Sequence, residues 1–144
     1  MELNLLIDSN VVLDMFLERE PFVDMSRQAI ALSTKYAVKS FISASSVTDI
    51  YYLAYKSLKN HQRVREQFQK LFKFVGVVAV TSENIHAAFA LDWKDFEDSV
   101  QYAVAVSNNF DGIVTRNMQG FDGDEVKIFT PDEVCKYVAE IFKE

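Results

Sequence analysis

The amino-acid sequence predicts a protein of the α/β class, with a mostly parallel sheet covered by helices on both faces. Three observations lead there. Short apolar runs, beginning with Leu3 to Ile7, are separated by stretches whose apolar residues recur at helical spacing. The intervals between the runs leave room for crossover helices, which parallel strands require. Only 4 Gly and 2 Pro occur in 144 residues, too few turn residues for a many-turned sandwich or barrel.

Leu3 to Ile7 is short, mainly apolar and ends at Asp8, where Ser9-Asn10 signals a new start, so it reads as a buried central strand. Val11, Val12, Met15 and Phe16 then repeat as a helical stripe. Pro21 opens a further helix with apolar positions at Met25, Ala29, Ile30 and Leu32, fading near Tyr36. Val38 to Ser43 is the second strand. Ser46-Val47-Thr48-Asp49 fits a capping box, and Val47, Ile50, Ala54 and Leu58 form the stripe of the helix that follows. A helix from Gln62 to Phe74 leads into the β-branched run Val75 to Val80. Asn84 to Leu91 is helical, and Asp95-Phe96-Glu97-Asp98 begins a helix that continues through Val106. Ile113-Val114 and Lys127 to Phe129 are brief strands. Thr130 as N-cap and Pro131 at the first helical position, with a carboxylate in the first turn, start a C-terminal helix.

The composition, 49% apolar and 25% charged, is that of an ordinary globular chain, and residues 1 to 144 read as one domain. Disorder, collagen and a disulfide-stapled miniprotein are excluded. No apolar run approaches the ~18 residues that cross a bilayer, and Asp8 arrives before a signal-like core could form, so a cytoplasmic protein is expected. Cys135 stands alone in an apolar-periodic stretch and reads as core packing. The net charge of −6 argues against a protein that holds nucleic acid by a broad basic surface. Yet the stretch from Lys56 to Lys73 carries six basic residues against Glu66, a local +5 that leaves −11 elsewhere. That stretch is either a phosphate-tracking stripe or a solvated helix face.

In a parallel sheet the strand ends and the following helix starts share one edge, where ligands bind. Asp8, Asp49, Asp98 and Asn117 all fall at such junctions. Each acid has a plain role as a helix cap. Three carboxylates at one edge, however, repel one another and carry raised pKa values unless a cation neutralises them. Oxygen-rich sites suit Mg²⁺ or Mn²⁺, which pair with phosphate oxygens, so metal-assisted phosphodiester hydrolysis is the chemistry expected. His61 and His86 have no partner spacing for a triad or a zinc site, and no Gly-rich phosphate loop is present.

Asp8-Ser9-Asn10-Val11-Val12-Leu13-Asp14 resembles the opening Asp-x-Asn-Val-x-Leu-Asp motif of PIN-domain nucleases. Asp95-Phe96-Glu97-Asp98 resembles their third acidic motif, and Thr115-Arg116-Asn117 with Phe121 resembles their Thr-x-(Asn/Asp)-x-x-x-Phe stretch. The resemblance spans nearly the whole chain and extends to the VapC-type toxins of toxin–antitoxin pairs. It implies a PIN-like three-layer α/β/α fold and a Mg²⁺- or Mn²⁺-dependent endoribonuclease. It further implies an RNA substrate, a protein antitoxin and a homodimer. Carried over by position, Asp8 and Asp98 are metal ligands and Asp49 stands where a Glu is usual. Asn117 takes the place of the fourth acid, while Asn10 and Thr115 orient the ligand carboxylates. Arg116 would stabilise charge on the phosphoryl oxygens, and Asp14 is structural. Asp95, Glu97 and Asp122 are nearby alternates. Asp49 is one methylene short and Asn117 is neutral, so a PIN-like module that binds RNA or protein without cutting is the alternative. A phosphoryl-acceptor domain would want a second acid beside Asp8, which Ser9-Asn10 does not supply. A dimer or antitoxin surface is expected over Val11, Val12, Met15, Phe16, Phe22 and Met25, which exceed what one sheet face would cover.

Overall fold

Strand β1 (Leu3–Ile7) lies at the centre of the sheet in the computed structural model, which describes residues 1–143. It pairs in parallel with β2 (Val38–Ser43) on one side and β4 (Gly112–Val114) on the other. Outside these lie β3 (Val75–Val78) and β5 (Lys127–Phe129), giving the all-parallel order β3-β2-β1-β4-β5. Being covered on both faces, β1 is nearly continuously apolar instead of alternating.

Among the described residues seven α-helices link and cover the strands: α1 (Ser9–Phe16), α2 (Val23–Ile30), α3 (Ala44–Leu58), α4 (His61–Leu71), α5 (Ser82–Leu91), α6 (Phe96–Ser107) and α7 (Pro131–Ile141). The pleat of β1 divides the core in two. Leu5 and Ile7 join Val11, Ile50, Val64 and Val138 in one apolar cluster, while Leu6 joins Val104, Ile113 and Ala88 in the other. The three-layer α/β/α arrangement expected from the alternating pattern is therefore the one observed.

Local differences have local causes. The helix expected from Pro21 begins at Val23, because the Arg19 carbonyl first accepts the N–H groups of Phe22 (3.0 Å) and Val23 (2.8 Å) in a tight turn. Its regular part ends at Ile30, and Ala31–Thr34 continues as a 3₁₀ turn. The capping box at Ser46 to Asp49 is not formed. Strand β2 delivers Ser43 in extended conformation, its Oγ accepts the Ser46 N–H at 3.3 Å, and α3 starts at once at Ala44. Asp49 consequently sits in the second turn, exposed. At the C-terminus the Thr130–Glu133 capping box forms as expected.

The N-terminal apolar set is core, which corrects the partner surface expected there. Val11, Val12 and Phe16 are buried, and Met15 and Met25 are half-buried. The cause is that α1 is covered by α2 and α3, while α7 returns from the far end of the chain and packs on α2. Of that set only Phe22 is exposed, at 39%. Cys135 is half-buried against the same core. No helix among the described residues is long and apolar enough to cross a membrane.

Candidate active site

The strand order reverses direction between β1 and β4, since the chain builds outward from β1 on one side and returns to its other side for β4. Such a switch point opens a crevice at the carboxyl ends of the strands. Asp8 stands at that point: its N–H donates to the Val114 carbonyl at 2.9 Å, and its side chain caps α1. The carboxylate is held from four directions. Oδ1 accepts from the Ser9 N–H (2.8 Å) and Gln101 Nε2 (3.3 Å); Oδ2 accepts from Thr115 Oγ1 (2.8 Å) and Asn10 Nδ2 (3.3 Å). Thr115, fully buried after β4, also accepts the Asn117 N–H at 3.1 Å, which sets the path of the loop that carries Asn117.

The third acidic motif arrives on α6. Asp95 is the N-cap and accepts the Asp98 N–H at 3.2 Å, which places Asp98 in the first turn, 8% exposed, facing Asp8 across the crevice mouth. Asp98 Oδ2 is buried with no hydrogen-bond partner among the described residues. Gly120 explains the fit of this side chain: a Cβ there would collide with Asp98 Oδ2 and approach Asn117 Nδ2 to 3.3 Å. Glu97 lies at the exposed rim of the same crevice and accepts from Ser9 Oγ at 3.4 Å.

The electrostatics follow from this crowding. Loss of hydration, followed by the charges of Asp8, Asp95 and Glu97, pushes the Asp98 carboxyl up to about 7. Burial raises Asp8 as well, against the lowering effect of its bonds from Thr115, Ser9 and Gln101. Glu97 is raised by partial burial and then by Asp8, Asp49 and Asp95. Asp49 is thus close enough to act on Glu97 by charge, although its own side chain is exposed and the part of α3 that lines the crevice is Leu53, one turn further on. Asp122 is exposed and lines an adjoining cavity with Asp98 and Asn117.

The donor set is entirely oxygen, and Asp98 Oδ2 and Gln101 Oε1 are buried acceptors lacking donors. Both facts fit a hard divalent cation. Among the described residues no three His, Cys, Asp or Glu groups already converge on one point, so Asp8 and Asp98 would hold the ion with Asn117 or water completing its shell.

Arg116 lines the crevice but is not free to swing, because its guanidinium is tied down at the crevice wall. Its Nε and Nη2 donate to Asp14 at 2.6 and 3.1 Å, with the guanidinium 4.0 Å above the Phe22 ring. Asp14, fully buried, also accepts from Arg19 Nε (3.0 Å) and Ser26 Oγ (3.0 Å), so one carboxylate ties together α1, α2 and the loop after β4. Asp14→Ala is expected to lower unfolding free energy by about 3 kcal/mol, read in urea, because it strips charged hydrogen bonds from two guanidiniums.

Sequence reasoning overlooked Gln101, Gly120 and Arg19. Gln101 had a signal, since it is the one amide within the apolar run of α6 and lies one turn after Asp98. Gly120 and Arg19 sit in turns whose geometry no local periodicity shows.

With the geometry in place, comparison with known proteins identifies the class. The family described as PIN domain matches residues 4–119, and the chain belongs to that family. Over 135 residues it is 23% identical to Ribonuclease VapC1 of Aquifex aeolicus (strain VF5), covering 90% of this chain and 92% of the relative. Among solved structures it is similar to a toxin–antitoxin complex from Klebsiella pneumoniae, with a TM-score of 0.66 and 22% identity over 88% of this chain and 96% of that one. It is also similar to VapBC2 from Rickettsia felis bound to a DNA fragment from their promoter, with a TM-score of 0.72 and 12% identity over 89% and 98% of the two chains.

Proposed function

We propose that this PIN domain is a metal-dependent endoribonuclease that hydrolyses RNA phosphodiester bonds and serves as the toxin of a toxin–antitoxin pair. The observation that carries the reading is the meeting of Asp8 and the unpartnered Asp98 Oδ2 at the switch point of the sheet. The ribonuclease name of the Aquifex relative and the toxin–antitoxin titles of the structural neighbours support it.

Asp8 and Asp98 would hold Mg²⁺ or Mn²⁺, with Asp49 acting from the rim. The chemistry such an ion would supply there is activation of water and neutralisation of charge on the phosphoryl oxygens. The protein's own residues prepare the site. Thr115, Asn10 and Gln101 lock Asp8 in one rotamer, so its oxygens need not reorganise when a ligand arrives. The Asp95 cap fixes Asp98 at the start of α6, where the positive helix end favours an anion once a cation is near. In-line attack of water on phosphorus leaves a 3′-hydroxyl and a 5′-phosphate. Incubation with single-stranded and structured RNA, with and without Mg²⁺ or Mn²⁺, tests the activity: cutting only with the cation is expected. A small protein encoded beside this gene that co-purifies with the chain is the antitoxin test, and a homodimer is expected in its absence.

A second reading, a PIN-like module that binds RNA or protein without cutting, is favoured by one observation: Asp49 is exposed and Asn117 is neutral, so the acids do not close around an ion. Absence of cutting at saturating Mn²⁺, with RNA binding retained, would select it.

The basic stretch lies along the end of α3 and α4. Lys56, Lys59, Arg63 and Arg65 are all exposed, and none is in an ion pair among the described residues. Reversing two of these charges is expected to weaken RNA binding and to flatten the slope of log K against log salt by about 0.7 per lost phosphate contact. An unchanged slope would make the stretch a solvated helix face.

A further inference from the structure

The crevice has a second half, opposite the carboxylates. Arg19 and Arg116 line it together with Asp8, Asp98 and Asn117. Both arrive there by constraint. After α1 the backbone passes through Glu18 in the left-handed region (φ 49°), where a non-glycine residue is strained, and the Arg19 N–H returns to the Asp14 carbonyl at 3.0 Å. That turn aims Arg19 back along α1, so that Nε reaches Asp14 and Nη2 reaches the Asn10 carbonyl at 3.3 Å. Arg116 is fixed from the loop after β4, with its N–H donating to Asn10 Oδ1 at 3.2 Å and its guanidinium stacked on Phe22.

Two guanidiniums share one carboxylate, which leaves a net +1 at the crevice wall. Their side chains stay 39% and 28% exposed, and Nη1 of each has no hydrogen bond among the described residues. Asn10 joins the two halves, donating to Asp8 Oδ2 and accepting from Arg19. Fixed guanidinium forks beside a hydrolytic centre suit a phosphate oxygen pair.

We propose that Arg19 and Arg116 grip a backbone phosphate of single-stranded RNA beside the bond that is cut, and that Asp14 is the positioning residue that holds both guanidiniums at the crevice. This rests on the ribonuclease reading. It goes further in assigning Arg19 and Asp14, and in giving Arg116 a phosphate-binding place that is set by its bond to Asp14.

The test uses the Asp98→Asn protein in EDTA, which cannot cut, with a short labelled single-stranded RNA read by fluorescence anisotropy across a salt series. On that background Arg19→Gln and Arg116→Gln are each expected to weaken binding about fivefold or more and to flatten the salt slope by about 0.7. Arg19→Lys keeps the slope without full affinity, since a lysine supplies charge but no fork. Arg19→Gln leaves Asp14 bonded to Arg116 and Ser26, so it stays folded, and melting curves check this. In the cutting enzyme Asp14→Asn, with rates taken per folded molecule, is expected to raise KM for RNA severalfold. A purely structural role would lower only the folded fraction. Unchanged affinity and slope in folded Arg19→Gln and Arg116→Gln would overturn the proposal while leaving the ribonuclease reading intact. Failure of the Asp98→Asn parent to bind RNA at any salt would overturn both.

Discussion

Asp8→Asn and Asp98→Asn are each expected to abolish RNA cutting, with a loss well beyond roughly tenfold, while the fold persists. Each change keeps the shape of the side chain and most of its hydrogen bonding but removes a charge that would hold the cation. The two positions should differ in cost to the fold. Asp8 accepts four hydrogen bonds, so its amide replacement turns an acceptor toward Thr115, Asn10, Gln101 or the Ser9 N–H into a donor. Asp98 Oδ2 has no such partner, so Asp98→Asn is the cleaner variant. Circular dichroism beside the cutting assay separates lost chemistry from lost structure. Full activity in purified, folded Asp8→Asn would remove Asp8 from the site.

The second large effect joins the site to stability. With the Asp98 carboxyl raised from 3.8 to about 7, the folded protein holds a proton there that the unfolded chain has released. Below about pH 4 both states are protonated and the cluster costs nothing. Between about pH 4 and 7 the folded state binds more protons than the unfolded one, so stability falls as pH rises, by up to about 1.4 kcal/mol per unit. Above about pH 7 the penalty is fully present and level. Asp98→Asn should therefore raise the metal-free melting temperature at neutral pH. If the cluster holds a cation as proposed, Mn²⁺ would bind the ionised native cluster and not the unfolded chain, and at a hundredfold excess over Kd it should add about 2.7 kcal/mol to the wild type. That increment should shrink toward pH 4 and be smaller in Asp98→Asn. If Asp98→Asn instead lowers metal-free stability, and Mn²⁺ shifts both proteins equally, Asp98 is a helix-start residue and nothing more.

Much of this architecture was legible because buried parallel strands and capped helices leave strong local marks. The run Leu3 to Ile7 and the Thr130–Glu133 box each carry their signal within a few neighbouring residues. Asp8 and Asp98 were legible for a related reason: in a parallel α/β chain a residue just after a strand, or in the first turn of the next helix, is committed to one edge of the sheet. What could not be read depends on distant partners. The start of α3 turned on Ser43 being delivered extended by β2, a choice between adjacent serines that local sequence does not make. The cover that α2 and α3 place on α1, and α7 on α2, joins elements well apart in the chain, which local periodicity does not show, so the N-terminal set looked like surplus surface. Arg116 next to Thr115 looked free to reach a phosphate, and only the fold shows that Asp14 already holds it.

The chemistry of the RNA ends tests the central claim most directly. If Asp8 and Asp98 hold a divalent cation as proposed, water is the nucleophile, and cutting in Mn²⁺ should yield 3′-hydroxyl and 5′-phosphate termini, with no cutting in EDTA. Mass spectrometry of the fragments of a defined single-stranded RNA reads both. Fragments ending in a 2′,3′-cyclic phosphate, formed equally in EDTA, would show that the RNA's own 2′-hydroxyl is the nucleophile and that Asp8 and Asp98 hold no catalytic ion.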